Sequence, residues 1–519
     1  MEVIMPMVSP LLRNRIIQDA VLRLARAFNG ESRIVAPDGT LTAIGSERNA
    51  RKVARRAESS VPAYRDFAGA HRQSGAHQDR PSLDKGKYIL RYPVAQMLAD
   101  DWKDTFTIFR SSGSSGKAQY WPQLKKTHRL SKWAFRLQLE HCFEIHRHKS
   151  IAIVGLSLGS WVGGDHVSWL LKCMAMEANY PFCVFAPGNH HDEIIEMISE
   201  VQEYVDQIIL FVCPSAIGHL HLLASQKLAP LPLAKLRYVV LGEPFPESLR
   251  LSMAKDMGAA VGKNFLFSVY GSADTGTLGI ESPASVAVRQ LLALNPGLRD
   301  ETGIEDPVPH LFHSCAPDTY LESVHGELCV TRWQGIPLVR YNLHDSVRFF
   351  DWRTLRARVL TSCRVDPSCN HLLQVLRQSS SALPSVLAIA GRADRCLILC
   401  GTNLTETMLD AAIRNTELDS ILTGAYEARI VYENDRQFLK FELEMKPDLV
   451  LDDVLDRRVY ASLVAALGRV QPEFLDDWRN MYQLWDADPL QRILRVNYHH
   501  WPALSKSVEL QPKQRGIRL

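Results

Sequence analysis

Residues Ile151-Ala152-Ile153-Val154-Gly155 form a short apolar run, and this run sets the pattern for the region that follows it. Three further apolar runs come later in the chain, at residues 183–185, 208–212 and 238–241. The segments between these runs, such as residues 167–178 and 192–204, carry apolar residues at helical spacing. Short strands that alternate with helices indicate βαβ units around a mostly parallel sheet, which is an α/β fold. Loops after such strands commonly bind small ligands.

The pattern changes after Asp345, where strands and helices follow one another in a more antiparallel, α+β manner. Strands are predicted at residues 397–399, 428–432 and 438–445, and helices at 406–414 and 452–467. We therefore predict a large N-terminal domain of mostly parallel sheets with flanking helices at residues 1–390, with a helical lead-in at 1–60. A smaller α+β domain is predicted at residues 391–519.

The composition is that of an ordinary globular protein. The chain has 519 residues, of which 46% are hydrophobic and 23% charged, so a sizeable core can form. The formal net charge of +3 is too small to indicate a nucleic-acid binder. The ten cysteines lie far apart and do not repeat in a zinc-ribbon or disulfide-scaffold pattern, which favours reduced thiols and a cytoplasmic location.

No membrane-spanning segment is expected, because the longest apolar run, at residues 151–164, is shorter than the roughly 20 residues that a spanning helix needs. The N-terminal 29 residues include Glu2 and Asp19 and do not resemble a signal peptide. Residues 11–28 predict an amphipathic helix, which either docks on the main body or lies as a basic helix on a membrane surface. The polar segment at residues 68–87 predicts a surface loop.

The sharpest local motif is Ser111-Ser112-Gly113-Ser114-Ser115-Gly116-Lys117, which follows an apolar run at residues 106–109. Its glycines allow tight turns that direct backbone N–H groups inward, and its hydroxyls and lysine add donors that suit a triphosphate. A Walker A loop is not indicated, because only two residues separate Gly113 from Gly116 and Ala118 follows the lysine. A flexible serine-glycine linker is the alternative interpretation.

Further polar clusters follow along the chain, and each is ordinary loop chemistry when taken alone. They are Gly242-Glu243-Pro244, Tyr270-Gly271-Ser272-Ala273-Asp274-Thr275-Gly276, Arg340-Tyr341-Asn342-Leu343-His344-Asp345 and Gly391-Arg392-Ala393-Asp394-Arg395. The group His310, His313 and Cys315 could supply zinc ligands, but its spacing is not a recognised zinc signature and structural roles are the alternative.

In this order and spacing, the clusters resemble the adenylate-forming superfamily of acyl coenzyme A synthetases and nonribosomal adenylation domains, and most closely its phenylacetate coenzyme A ligase branch. The resemblance extends over about residues 61–516 and includes Pro62-Ala63-Tyr64-Arg65, Leu158-Gly159-Ser160-Trp161-Val162-Gly163-Gly164 and Gly326-Glu327-Leu328. It implies ATP and Mg²⁺ as cofactors and coenzyme A as a possible acceptor.

The resemblance also implies roles for individual residues. The residues implied to bind ATP or AMP are Ser111, Ser112, Gly113, Ser114, Ser115, Gly116, Lys117, Gly242, Glu243, Pro244, Tyr270, Gly271, Asp345 and Arg392. Asp345 would bind both ribose hydroxyls, and Asp274, which stands where the family has glutamate, would be a catalytic residue that holds Mg²⁺. Asp394 would be the hinge of a mobile C-terminal lid, and Gly401 would lie on the loop that enters the site when the lid rotates. The acid pocket would include Trp161, Gly163, Gly164 and Ser272, of which Trp161 suggests an aromatic or flat substrate.

Two departures from the family pattern affect the expected chemistry. Asn342, Leu343 and His344 replace the family's Arg-Thr-Gly, which removes one cation near the phosphates. The family's terminal catalytic lysine follows a glycine, whereas Ile517 follows Gly516 here. Lys513 is the nearest lysine, and we expect it to substitute as a catalytic residue; otherwise adenylation is slow or absent.

These features predict a ligase that activates an aryl or short acyl carboxylic acid with ATP, releases pyrophosphate, and transfers the acyl group to a thiol such as coenzyme A. Transfer to an amine or to a carrier protein is the first alternative. A noncatalytic homologue that binds nucleotide is the second. The acid itself cannot be identified from one sequence, because pocket residues are scattered along the chain and one methylene changes discrimination by only about 1–3 kcal/mol.

Overall fold

The computed structural model describes most of the chain. The described residues are 40–70, 77–99, 102–111, 119–258, 264–304, 310–363, 369–392, 396–433, 435–447, 449–504 and 516–517. The N-terminal helix predicted at residues 11–28 lies outside them.

The strands are numbered in chain order. They are β1 (Thr40–Leu41), β2 (Ala43–Ile44), β3 (Thr105–Ser111), β4 (Gln119–Leu124), β5 (Ser150–Gly155), β6 (Phe182–Phe185), β7 (Gln207–Val212), β8 (Leu236–Val240), β9 (Leu266–Ser272), β10 (Gly276–Ile280), β11 (His310–Ser314), β12 (Tyr320–Val324), β13 (Glu327–Arg332), β14 (Leu338–Phe350), β15 (Val386–Arg392), β16 (Cys396–Leu399), β17 (Thr402–Thr405), β18 (Leu422–Glu433), β19 (Arg436–Met445), β20 (Leu494–His500) and β21 (Gly516–Ile517).

The α-helices are numbered in the same way. They are α1 (Glu47–Ser60), α2 (Pro62–Ala70), α3 (Val94–Met97), α4 (Lys125–Cys142), α5 (Val162–Glu177), α6 (His191–Val201), α7 (Pro214–Gln226), α8 (Glu247–Asp256), α9 (Pro283–Leu294), α10 (Gly297–Thr302), α11 (Trp352–Ser362), α12 (Asn370–Gln378), α13 (Glu406–Ile413), α14 (Asp453–Val470) and α15 (Pro472–Asp477). A short π-helical turn spans Lys85–Ile89.

Contacts between residues divide the chain into two compact units. Of the described residues, unit 1 comprises those within 1–109, 120–144 and 246–393, and unit 2 comprises those within 110–119, 145–245 and 394–519. The last crossing between the units, after residue 393, lies close to the predicted start of the C-terminal domain. Residues 145–245, however, fall in the same unit as the C-terminal segment. The division into domains at 1–390 and 391–519 stays a prediction.

Unit 2 contains the predicted parallel sheet, in the strand order β6, β5, β7 and β8. All three neighbouring pairs are parallel; Ile151 of β5, for example, lies between Cys183 and Ile208. Every residue of β5 and β7 is buried, as expected for parallel strands that are covered on both faces. The predicted strands and the helices α5 and α6 are therefore confirmed, and so is the α/β fold class.

The C-terminal part of unit 2 has the α+β character that the sequence predicts. Strands β18 and β19 form an antiparallel pair, β20 runs parallel to β19, and β21 runs parallel to β18. Helix α14 buries one apolar face that includes Val459, Leu463 and Leu467. Strands β16 and β17 form a separate hairpin whose ends, Leu399 and Thr402, are paired.

Unit 1 is built on an antiparallel sheet with the strand order β2, β12, β13, β14, β15, β11, β10 and β9, and β1 pairs with β14. Its core is a cluster of buried side chains from these strands and from α1 and α2. Antiparallel pairing already involves β1, β2, β9 and β10, all of which lie earlier in the chain than the change after Asp345 that the sequence predicts. Arg332 and Arg340 obscure the apolar alternation of β13 and β14, because both are buried in these strands through ion pairs with Asp318 and Glu322.

The surface loop predicted at residues 68–87 is wrong for its second half. Leu83 is fully buried, and its backbone bonds to that of Arg340 and Asn342 on β14. The π-helical turn at Lys85–Ile89 follows at once. The polar composition is misleading here because a single buried leucine fixes the segment to a distant strand.

None of the helices in the described ranges has the length and hydrophobicity that crossing a bilayer requires.

Candidate functional site

Part of the predicted site lies outside the described residues. This applies to Ser112, Gly113, Ser114, Ser115, Gly116 and Lys117, to the hinge Asp394 and to Lys513. Ser111 is described, is buried and ends β3. The remaining candidates fall into one group in unit 1 and another in unit 2.

Asp345, Tyr270 and Arg392 lie together in unit 1. Asp345 on β14 is paired in register with Arg392 on β15, which brings Arg392 Nη1 to 3.9 Å from Asp345 Oδ1. Tyr270 Oη donates a hydrogen bond to Asp345 Oδ2 at 2.5 Å. The structure thus brings together three residues from the separate clusters that the sequence singled out.

The ring of Tyr270 is fixed by stacking on Phe312, with ring centroids 5.4 Å apart. Burial, followed by the charge of Asp345, raises the pKa of Tyr270 well above its ordinary value. The phenol therefore stays protonated at neutral pH and keeps donating to the carboxylate. The stacking on Phe312 holds the aromatic ring at a defined angle.

Asp274 is buried with 4% of its surface exposed, yet its carboxylate has two polar neighbours. Tyr341 Oη donates to Asp274 Oδ2 at 2.6 Å, and Lys85 Nζ lies 3.5 Å from the same oxygen. The carboxyl group of Asp274 thus lies close to a cationic group whose side chain is 30% exposed.

The carboxyl group of Asp274 is the candidate magnesium ligand. Mg²⁺ takes oxygen ligands and is commonly held by one or two carboxylates together with substrate phosphates. In the described part of the chain, Asp274 Oδ2 carries the contacts to Tyr341 and Lys85, and no hydrogen bond is seen at Oδ1. The carboxyl oxygens of Asp274 are ligands of the type that Mg²⁺ takes.

Lys85 is the functional candidate that sequence reasoning missed. The backbone of Leu83 donates to Arg340 O at 3.1 Å and accepts from Asn342 N at 2.7 Å, which places the segment beside β14. Asp84 then caps the π-helical turn by accepting from Lys87 N. In the sequence, Lys85 is marked only by its position two residues after Leu83 in a polar segment, which is weak evidence for a functional role.

The turn between β9 and β10 holds Asp274 in place. Ser272 Oγ accepts from Thr275 N at 3.2 Å, and Gln334 Nε2 donates to the backbone oxygen of Asp274 at 2.5 Å. Gly271 packs so closely on β10 that a Cβ would lie 2.4 Å from Gly276 O. Ser272 and Gly271 therefore support the turn in this structure, while their predicted contacts with substrate and nucleotide stay predictions.

In unit 2, Glu243 is buried and binds two backbone amides. Ser215 N donates to Glu243 Oε1 at 2.6 Å, and Gly401 N donates to Oε2 at 3.0 Å. Burial raises the pKa of Glu243 to about 7, although these hydrogen bonds act in the opposite direction. The adjoining Pro244 accepts a hydrogen bond through its backbone oxygen from Tyr432 Oη at 2.8 Å.

The turn at residues 400–402, which joins β16 to β17, lies against Gly242. Cys400 and Gly401 both have positive φ, +54° and +84°. A Cβ on Gly401 would lie 3.2 Å from Cys213 Sγ, and one on Gly242 would lie 3.3 Å from the same sulfur. The close approach of the two segments therefore requires glycine at both positions.

Asp477, at the end of α15, is a second buried carboxylate in unit 2. Its Oδ1 accepts from Ser157 Oγ at 3.1 Å and from Asn189 Nδ2 at 3.0 Å, and its Oδ2 accepts from Thr402 Oγ1 at 3.0 Å. Burial, with a smaller effect of the neighbouring Glu473, raises the pKa of Asp477 to about 8. Sequence reasoning did not single out this residue.

The predicted acid-pocket residues of unit 2 lie at the start of α5. Trp161 precedes the helix, and the guanidinium of Arg110 lies 5.0 Å from its ring centroid, a cation–π contact. Gly164 is buried, and a Cβ there would lie 2.2 Å from Ser157 O, so the residue is needed for packing. Gly163 has open space at its Cβ position.

Gly516 and Ile517 form β21, and their backbones pair in parallel with Glu427 and Ala428 of β18. The position at which the family pattern has a lysine is therefore part of a sheet.

A zinc site at His310, His313 and Cys315 is not supported. The ring nitrogens of His310 and His313 face different partners, since His310 Nε2 contacts Arg289 Nη2 and His313 Nδ1 contacts Pro384 O. Within the described ranges, no group of three or more His, Cys, Asp or Glu residues is placed to hold a metal ion.

Comparisons with known proteins identify the fold. No family model matches the sequence, and no curated protein matches it. Among solved structures, the chain is similar to 2-hydroxyisobutyryl-CoA ligase in complex with 2-HIB-AMP and CoA in the thioesterification state, with a TM-score of 0.52 and 14% identity over 91% of this chain and 88% of that chain. A malonyl-CoA ligase complex with methylmalonyl-CoA and AMP matches with a TM-score of 0.40 and 12% identity over 76% of this chain and 70% of that one. The first of these similarities shows that the chain has the fold of that ligase.

Proposed function

We propose that this protein is an adenylate-forming ligase. It would activate a carboxylic acid with ATP to an acyl adenylate, release pyrophosphate, and transfer the acyl group to coenzyme A. The observation that carries the proposal is the meeting of Tyr270, Asp345 and Arg392 in unit 1, since these residues come from separate clusters that resemble adenylate-forming motifs. The similarity to a ligase that binds an acyl adenylate and CoA agrees with it.

Each residue has a defined task in this proposal. Asp345 can accept hydrogen bonds from both ribose hydroxyls, while Tyr270 offers an aromatic face to the adenine. Asp274 would hold Mg²⁺, and the metal would offset the charge of the phosphates. The carboxylate substrate is itself the nucleophile, so that catalysis consists of positioning and charge stabilisation.

The cation at the α-phosphate comes from a residue other than the family's terminal lysine. Lys513 is our first candidate, as the lysine nearest to Gly516 in the sequence. Lys85 is the second, because its ammonium group lies beside Asp274. A cation placed at the developing charge typically contributes 10²–10³-fold to the rate.

The finer assignments belong to the same proposal. The substrate is an aryl or short acyl acid, and the chain is of the phenylacetate coenzyme A ligase type, located in the cytoplasm. The acid pocket would include Trp161, Gly163, Gly164 and Ser272, and Asp394 would be the hinge of the 391–519 lid. Transfer to an amine or a carrier protein is the alternative to coenzyme A.

The test is acid-dependent release of pyrophosphate from ATP in the presence of Mg²⁺, measured over a panel of benzoic, phenylacetic and short-chain acids. Release that requires an acid supports adenylation, and adding coenzyme A, amines or a carrier protein then identifies the acceptor. ATP binding without release for any acid would contradict the proposal and favour the noncatalytic homologue.

A further inference from the structure

Three consecutive residues of the turn at 400–402 are each bound by a side chain from another segment of unit 2. Cys400 N donates to Gln437 Oε1 at 2.7 Å, and Gly401 N donates to Glu243 Oε2 at 3.0 Å. Thr402 Oγ1 donates to Asp477 Oδ2 at 3.0 Å. Backbone groups in an isolated turn would instead bond to water, so this arrangement fixes one position of the turn.

Asp477 also links the turn to the loops of the parallel sheet. Its Oδ1 accepts from Ser157, which follows β5, and from Asn189, which precedes α6. Asn189 in turn accepts from Asn480 Nδ2 at 3.2 Å through Oδ1. Asp477 is 6% exposed, and donors from three different segments of the chain converge on it.

We propose that Asp477 is a positioning residue that fastens the 400–402 turn beside residues 242–244, and that this position serves acyl transfer rather than activation of the acid. The inference rests on the proposed function. Ser157 lies four residues before Trp161, which is assigned to the acid pocket, and Gly401 lies on the loop that, by the resemblance, enters the site when the lid rotates. Asp477 thus joins the segment that would hold the acyl group to the loop used for its transfer.

The chemistry of the partners makes the proposal testable by graded substitutions. Asp477→Ala removes both acceptor oxygens. Asp477→Asn keeps the shape and one acceptor oxygen, and its NH₂ group can donate to Thr402 Oγ1, which accepts as well as donates. Ser157→Ala removes one donor and leaves the C-terminal segment unchanged. Asp476→Ala changes the exposed neighbour and serves as the matched control.

The first measurement is amide hydrogen exchange at Cys400 and Gly401 in the full-length protein without ligands. We expect exchange about tenfold faster in Asp477→Ala, a smaller increase in Ser157→Ala, and rates near those of the original protein in Asp477→Asn and Asp476→Ala. Unchanged exchange in both Asp477→Ala and Ser157→Ala would overturn the proposal.

The second measurement separates the two half-reactions with ATP, coenzyme A and the acid panel. In Asp477→Ala and Ser157→Ala, we expect the single-turnover transfer of enzyme-bound acyl to coenzyme A to slow by up to about tenfold, while acid-dependent pyrophosphate release changes less than about twofold. An equal fall in both rates would overturn the role in transfer. Absence of pyrophosphate release in the unsubstituted protein would overturn the proposed function instead, and amide exchange would still decide whether Asp477 fastens the turn.

Discussion

Unit 1 and unit 2 each hold two candidate carboxylates, but the carboxylates differ in their neighbours. In unit 1, Asp345 lies 3.9 Å from Arg392, and Asp274 lies 3.5 Å from Lys85. In unit 2, the described hydrogen-bond donors to Glu243 and Asp477 are all neutral, and both carboxyl groups have raised pKa values. Anions beside cations suit the recognition of a charged ligand, whereas buried carboxylates bound by neutral donors position the chain.

The strongest challenge to this comparison is Asp345→Ala. It removes the proposed ribose acceptor and leaves both Tyr270 Oη and Arg392 without their carboxylate partner. We expect acid-dependent pyrophosphate release to fall by about 10³-fold, because several hydrogen bonds to a charged group are lost together. The exposed Asp300→Ala serves as control. Near-normal release in Asp345→Ala would remove unit 1 from the nucleotide site.

Lys513→Ala tests whether the C-terminal tail supplies the catalytic cation. We expect adenylation to slow by about 10²-fold, in line with the loss of one group that stabilises developing charge. Arg515→Ala, two residues away, should change the rate only slightly. Pyrophosphate release that is unaffected by Lys513→Ala would show that the cation comes from elsewhere.

Lys85→Met tests the contribution of the cation that lies beside Asp274 in unit 1. The change keeps most of the length of the side chain but removes the charge beside Asp274, and we expect adenylation to slow by about 30-fold. Lys87→Met is the matched control, because Lys87 is 63% exposed and pairs with Asp84 rather than with Asp274. Equal effects of the two substitutions would mean that the adenylation rate depends on the overall positive charge of this segment and not on the position of Lys85.

The effect that is smallest for each step of the measurement concerns the pH dependence of stability. The pKa of Asp477 is about 8 in the folded protein, whereas an aspartate in the unfolded chain has a pKa near 4. The folded state therefore binds the proton of the Asp477 carboxyl group more strongly than the unfolded state does. The contribution of Asp477 is thus fully present below pH 4 and is lost as pH rises toward 8, on the order of 1 kcal/mol per pH unit. Asparagine does not ionise, so the unfolding free energy of Asp477→Asn should not fall with rising pH on account of this position.

Thermal unfolding at pH 5, 6, 7 and 8 measures the effect. The difference in unfolding free energy between Asp477→Asn and the unsubstituted protein should shift in favour of the variant as pH rises. A difference that is independent of pH would show that Asp477 is ionised throughout this range, and the contrast between the two units would then be lost.

The elements that could be predicted from the sequence are those whose residue pattern is contained in one short segment. The strands β5 and β7 were predicted to within one residue because continuous apolar runs are typical of parallel strands buried on both faces. Asp345 and Arg392 were named from motifs, and their meeting depends on the pairing of two neighbouring strands.

The residues that were missed depend on contacts between distant segments. Lys85 reaches Asp274 only because Leu83 pairs with a strand more than 250 residues later. Asp477 acquires its role from Ser157 and Asn189, which are about 300 residues earlier in the chain. A lone charged residue in a polar segment carries no sign of such a partner.

The packing of Gly242 and Gly401 around Cys213 has a consequence for molecular evolution. The Cβ of either glycine would come within 3.3 Å of the same sulfur atom, although the three residues are far apart in the sequence. A side chain at position 242 or 401 can be accommodated only if residue 213 becomes smaller or the turn moves. Related sequences should therefore show correlated substitutions at positions 213, 242 and 401, a pattern that an alignment can reveal without any structure.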